Sequence, residues 1–270
     1  MATIKNVLFN MGVLDDLAMK ETSIHRIHPL IKLLTTVVYL TVVVSFGKNE
    51  ISNLLPFFLY PVLIMVFAEI PVVPILNRMV LVTPFIIGIG ILNPFFEVQT
   101  VVVFGTSISQ GWFTFVSLLL KSALTVAVSL MLIATTGMNQ LAAALRMLKV
   151  PKIFVLQLLL TYRYISVLIE ELSRMVRAYS LRAPGQKGIH PRVWGSFVGQ
   201  LLLRTYDRGS RVYESMNARG FSGEYHRGNI SKLKGKDIAY FLSWSLLFML
   251  ARLYDLPLLI EALIFSMGGE

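Results

Sequence analysis

Cysteine is absent from the 270 residues, which excludes a disulfide framework and any thiolate metal site. Charge is scarce: Asp, Glu, Lys and Arg make up 15% of the chain, against ~25% for a soluble domain. No leading apolar run precedes Lys32, where Asp15, Asp16 and Glu21 mix with Lys20 and Arg26, so the N-terminal segment does not read as a secretory signal. No Gly-rich loop has the spacing of a nucleotide-binding motif, since Gly105-Thr106-Ser107 and Gly185-Gln186-Lys187-Gly188 lack it, so this chain is not expected to hydrolyse ATP. What is abundant is apolar: 55% of the residues are hydrophobic and the mean hydropathy is +0.68. Such a chain cannot cover its own surface with polar groups, which excludes disorder and an ordinary soluble enzyme and points to an integral membrane protein.

The net charge of +10 is unevenly placed. Residues 146–236 hold 17 Lys and Arg against five acids, a net +12, while the rest of the chain carries −2. A span needs ~20 mostly apolar residues to cross ~30 Å of hydrocarbon. Leu33–Phe46, Leu54–Ala68 (holding Pro56 and Pro61), Met79–Phe96 and Trp112–Thr136 qualify, the first two by borrowing from their flanks. Ile153–Ile169, interrupted by Arg163, and Asp237–Met267, broken by Pro257, are further apolar stretches. The 97–111 loop has no Lys or Arg, so the positive-inside rule places it outside and both the N-terminal segment and the basic block in the cytoplasm. The predicted architecture is all-α, with about five (four to six) transmembrane helices and two long cytoplasmic amphipathic helices. The predicted organisation is a four-span part over 1–136, a cytoplasmic part over 137–236 and a C-terminal membrane part over 237–270.

Within the basic block, Thr161–Leu181 has neither Gly nor Pro, and Leu168, Leu172, Met175, Val176 and Tyr179 recur at three- and four-residue steps. Glu170 precedes Arg174 by four residues, a supporting pair. Pro184-Gly185 stops this helix. The next begins near His190-Pro191, carries the stripe Trp194, Phe197, Val198, Leu201, Leu202, Thr205, Val212 and Met216, and ends at Arg219-Gly220, where Gly suits a left-handed cap. Each helix ends in an arginine, a forked donor projecting past the last turn and suited to a partner's carboxylate or carbonyls. The bland reading is two ordinary caps with solvated arginines. Two such ends in the one basic block of a membrane protein favour docking.

Ala218-Arg219-Gly220, followed by Phe221, resembles the second of two Ala-Arg-Gly motifs that end the coupling helices of the transmembrane T component of energy-coupling factor (ECF) transporters. The first motif is degenerate, with Leu181 and Ala183 around Arg182. Leu14–Ala18, Ser23–Pro29 before Lys32, and Leu160–Ile165 leading into Glu170-Glu171 are similar to the CbiQ-like cobalt and nickel branch. The resemblance implies a non-catalytic subunit of an ATP-driven importer for cobalt or nickel. Its partners would be two ATP-binding cassette ATPases, which hydrolyse the ATP, and a separate membrane subunit that captures substrate. Arg182 and Ala183, with Ala218, Arg219 and Gly220, would dock on the ATPases. Leu168, Leu172, Met175, Trp194, Phe197 and Leu201 would pack the coupling helices on each other or on the capture subunit. The implied location is the cytoplasmic membrane, with the N-terminus in the cytoplasm.

Other features carry less. His25 and His28 stand three apart, but Pro29 follows directly, and a segment leading into the first span explains them better than a metal site. No His- or Met-rich cluster lies at membrane depth, so no metal ligands and no bound cofactor are assigned to this chain. Lys121 and Arg252 inside apolar stretches read as structural, with Asp255 available to Arg252. The aromatics of the basic block fall on helical stripes, which argues for membrane packing over nucleic acid. Two alternative functions remain: a membrane-embedded enzyme acting on lipid or isoprenoid substrates, for which Glu170-Glu171 is the one close carboxylate pair in the block, and an ABC permease that forms its own pathway.

Overall fold

The computed structural model describes residues 15–47, 50–96, 100–103, 106–186, 188–221, 223 and 233–254. Helix dominates. In chain order there are a helical turn at 15–18 (α1), α2 (Pro29–Ser45), a 3-10 stretch (Ser52–Phe58) running into α3 (Leu59–Phe67), α4 (Val72–Gly90) and the short α5 (Asn93–Phe96). A small antiparallel hairpin, β1 (Thr100–Val103) with β2 (Thr106–Ser109), leads into α6 (Gln110–Met147). Then come α7 (Lys152–Arg182), a 3-10 turn (Pro191–Val193), α8 (Trp194–Ala218) and α9 (Gly235–Leu253). The protein is an all-α integral membrane protein. The segments Val72–Phe95, Gln110–Met147 and Lys152–Arg182 are each long and apolar enough to span a bilayer, and Pro29–Ser45 and Ser52–Phe67 are shorter apolar helices.

Two differences from the sequence reading stand out. Ile153–Ile169 and Thr161–Leu181 are not separate elements but one 31-residue helix, because nothing between Lys152 and Arg182 breaks the ladder. Conversely, α6 is broken at Gly137, whose φ of 68° and ψ of 156° no helix accepts. Pro56 falls in the 3-10 stretch rather than inside an α-helix, where its missing N–H would cost most.

The chain divides into two compact units. One comprises 17–137 and 231–270, the other 1–16 and 138–230. In the first, α9 packs along α2 through an aromatic cluster. Tyr39 on α2 is fully buried and contacts Phe57, Tyr60 and Phe248 at ring-centroid distances of 5.9, 5.1 and 5.2 Å, and Tyr60 meets Trp244 edge-on at 4.7 Å. The Tyr39 hydroxyl donates to the Phe57 carbonyl at 3.0 Å, so this buried phenol is satisfied. Gly90 lets α4 approach α6, since a Cβ there would stand 2.7 Å from the Phe115 ring.

Two cations complete the end of α2. Lys121 Nζ donates to the carbonyls of Phe46 (2.6 Å) and Gly47 (3.1 Å). Arg252 donates to Ser45 Oγ (3.2 Å) and to Glu50 (3.4 Å), with its guanidinium 4.6 Å from the centre of the Phe46 ring. Cations at a helix C-terminus satisfy carbonyls that have no intrahelical partner. Both charges are therefore structural, as expected, but Arg252 uses Glu50; Asp255 lies outside the described residues.

Candidate functional site: the α7–α8 pair and its arginine ends

In the second unit α7 and α8 bury little. Val155 is the one buried residue of α7 and Phe197 that of α8. Leu168, Leu172, Met175 and Leu201 are half-buried, while Trp194 is 52% exposed, and Val198 and Leu202 are exposed with it. The stripe on α8 thus divides into an inner line through Phe197, Leu201, Thr205, Val212 and Met216 and an outer apolar flank through Val198, Leu202, Tyr206 and Tyr213.

The two arginine ends differ in construction. At α8, Arg219 is the C-cap and Gly220 takes φ 77°. The Gly220 N–H donates to Asn217 (2.9 Å) and the Phe221 N–H to Met216 (3.1 Å), the paired bonds of a Schellman motif. Ala218, Arg219 and Gly220 are exposed. At α7, Arg182 is the last helical residue, exposed, with Ala183 as the C-cap at φ −124° and the positive-φ glycine, Gly185 (φ 90°), falling two residues later. Tyr179 ties this looser end down: its hydroxyl donates to Gln186 Oε1 (2.9 Å) and accepts from the His190 N–H (3.4 Å). His190 Nδ1 in turn accepts from the Arg192 N–H (3.3 Å), with Pro191 at the first position of the following turn.

Glu171, not Glu170, is the carboxylate that matters. It accepts from Arg174 on its own helix at 2.8 Å and from Arg204 of α8 at 2.5 Å. Glu170 is exposed, whereas Glu171 faces α8, where a second guanidinium adds to the attraction. Both oxygens of Glu171 are thereby engaged. Tyr162 on α7 donates to Asp15 at 2.8 Å, joining two of the stretches that carried the family resemblance.

A second polar cluster, in the first unit, was not foreseen. Lys32 is 4% exposed, and its Nζ donates to the carbonyls of Thr135 (2.7 Å) and His25 (3.2 Å). Thr135 precedes Gly137, where the α6 ladder is interrupted, so the ammonium supports the broken helix. The His28 N–H donates to Asp237 Oδ1 (3.1 Å), while Asp237 Oδ2 accepts from the Lys234 N–H (2.9 Å) at the start of α9. His28, the N-cap of α2, accepts from the Leu30 N–H at 3.2 Å. Burial, then the neighbouring Lys32 charge, hold His25 below the ordinary imidazole value of 6.5. Among the described residues, no three His, Asp or Glu side chains gather as a metal-ligand set.

A family model described as CbiQ, cobalt transport protein, matches residues 20–230, a stretch that contains α2 to α8 and both arginine ends. The chain belongs to this family. Its members are transport proteins, so the protein has a transport role. Two relatives agree in different measure. An uncharacterized protein of Methanocaldococcus jannaschii is 26% identical over 244 residues, 86% of this chain and 82% of the relative. The nickel permease LarQ of Lactiplantibacillus plantarum is 29% identical over 118 residues, 44% of this chain and 43% of LarQ.

Proposed function

We propose that this CbiQ-family protein is the coupling subunit of an ECF-type importer for cobalt or nickel. On this reading it transmits conformational change from two ATPases to a separate membrane subunit that captures the metal, and does not itself catalyse a reaction. The observation that carries the reading is the pair of exposed arginines, Arg182 and Arg219, each closing a long amphipathic helix. A guanidinium past the last turn adds to the negative end of the helix dipole a planar donor that an acidic groove can hold bidentately. The outer flank of α8 supports the same reading, since Val198, Leu202 and Tyr206 offer an apolar surface that a membrane partner could cover. Glu171 sits between two arginines and has no spare oxygen for acid–base work, which disfavours the lipid-processing alternative. Cobalt versus nickel is carried by family alone.

The reading is tested by charge reversal at the helix ends. Arg219→Glu should abolish co-purification of the ATPases and metal uptake by cells, and Arg182→Glu should weaken both, with the purified chain still folded. Full assembly and uptake by both variants would overturn the docking role.

A further inference from the structure

Between α7 and α8 lies a cavity of about 270 Å³ lined by Leu168 and Glu171 of α7 and by Arg204, Asp207, Arg208 and Arg211 of α8, among others. Arg204, Arg208 and Arg211 stand at i, i+4 and i+7, one face of the helix. Glu171 engages Arg204 and Arg174. Among the described residues Arg208 and Arg211 have no ion-pair partner, and the remaining carboxylate of the wall is Asp207 alone. The cavity therefore holds more cation than its own acids neutralise, with one guanidinium already fixed in place by Glu171. Planar forked donors converging on a small open space match the tetrahedral oxygens of a phosphate.

Position adds a second constraint. The cavity meets α7 where the apolar run Ile153–Ile169 ends and Glu170-Glu171 begin. The stretch from Ile153 to Leu168 is ~22 Å long at 1.5 Å per residue, enough to lie beside the ~15 Å of one hydrocarbon leaflet. At its start Ile153 is 69% and Phe154 66% exposed, and apart from the buried Val155 the apolar side chains that follow up to Leu168 are half-buried. On α8, Leu202 and Leu203 are exposed immediately before Arg204. A phosphate seated among the arginines would leave acyl chains beside these apolar surfaces, at the depth where a headgroup meets hydrocarbon.

We infer that the α7–α8 cavity binds the phosphate group of an anionic phospholipid. The site is independent of docking through Arg182 and Arg219, neither of which lines it. The test uses the purified full chain in detergent, given phosphatidylglycerol or phosphatidylcholine, with retained lipid counted by native mass spectrometry. Phosphatidylglycerol should be retained about tenfold better than phosphatidylcholine, and Arg208→Gln with Arg211→Gln should remove about that factor. Asp207→Asn, which deletes an opposing charge, should raise retention instead, a change of sign that misfolding would not produce. Inorganic phosphate at millimolar concentration should displace little of the lipid. Equal retention of the two lipids, or of phosphatidylglycerol by parent and double variant, would overturn the proposal. So would full displacement by inorganic phosphate, which would make a soluble phosphate the occupant.

Discussion

The two units spend their polar side chains differently. In the first, two charges are turned inward: Lys32 and Asp237 are buried, and each is satisfied by backbone groups. In the second, charges face outward, and α7 and α8 each bury one residue over 31 and 25 positions. α2 alone buries eight of its 17 residues. A helix that packs on so little of its length gains little from its own fold. The lesson is that packing in the first unit is concentrated on α2, whereas α7 and α8 of the second leave much of their apolar and basic surface exposed.

The largest effect is expected at the buried lysine. Lys32→Met leaves the carbonyls of Thr135 and His25 without their ammonium donor and should cost ~3 kcal/mol, read as a lowered denaturant midpoint of the whole chain. A loss as small as that of an exposed lysine would break the contrast between the units. Gly220→Ala should cost ~1 kcal/mol, because φ 77° strains any Cβ, and should loosen the end of α8 as seen by hydrogen exchange at Phe221. Glu171→Gln should cost less than ~1 kcal/mol, since Arg174 and Arg204 are 60% and 51% exposed and water screens the pair. Its signature is faster exchange in α7 and α8 with that in α2 and α9 unchanged.

The smallest effect is a pH dependence. Because His25 is held below 6.5 in the fold, the unfolded chain takes up that proton more readily. Stability should be flat above pH 6.5 with respect to this group and should fall as pH drops from 6.5 towards the folded value. His25→Gln should flatten that part of the profile, whereas a profile unchanged by the substitution would remove His25 from the account.

Much of α7 and α8 was legible because their signals are local. Three- and four-residue apolar steps, Pro184-Gly185 and Arg219-Gly220 each act within a turn or two, and the Schellman bonds at Gly220 form where the glycine implied them. Other ends of the same kind were hidden. Glu69 (φ 51°) and Lys149 (φ 62°) take the left-handed position at the ends of α3 and α6 with side chains that do not announce it. The proline two residues after each, Pro71 and Pro151, was the available signal. The choice of Glu171 over Glu170 was also not readable along one helix, because i,i+3 and i,i+4 partners are both in reach of Arg174 and it is Arg204, on another helix, that favours one of them.

Sequence alone determined that this chain belongs in a membrane and that its positive charge is gathered in one block bearing two long helices that end in arginine. Hydropathy, charge and helical period are properties of neighbouring residues, and they survive whatever the distant chain does. Tertiary structure decided what no window of residues contains. His28 meets Asp237 across 209 positions, Lys32 bonds a carbonyl 103 residues away beside the break in α6, and three arginines line a cavity completed by another helix. A buried charge is tolerated only where folding brings it partners, and those partners are set by the packing of whole helices rather than by the spacing within any one of them.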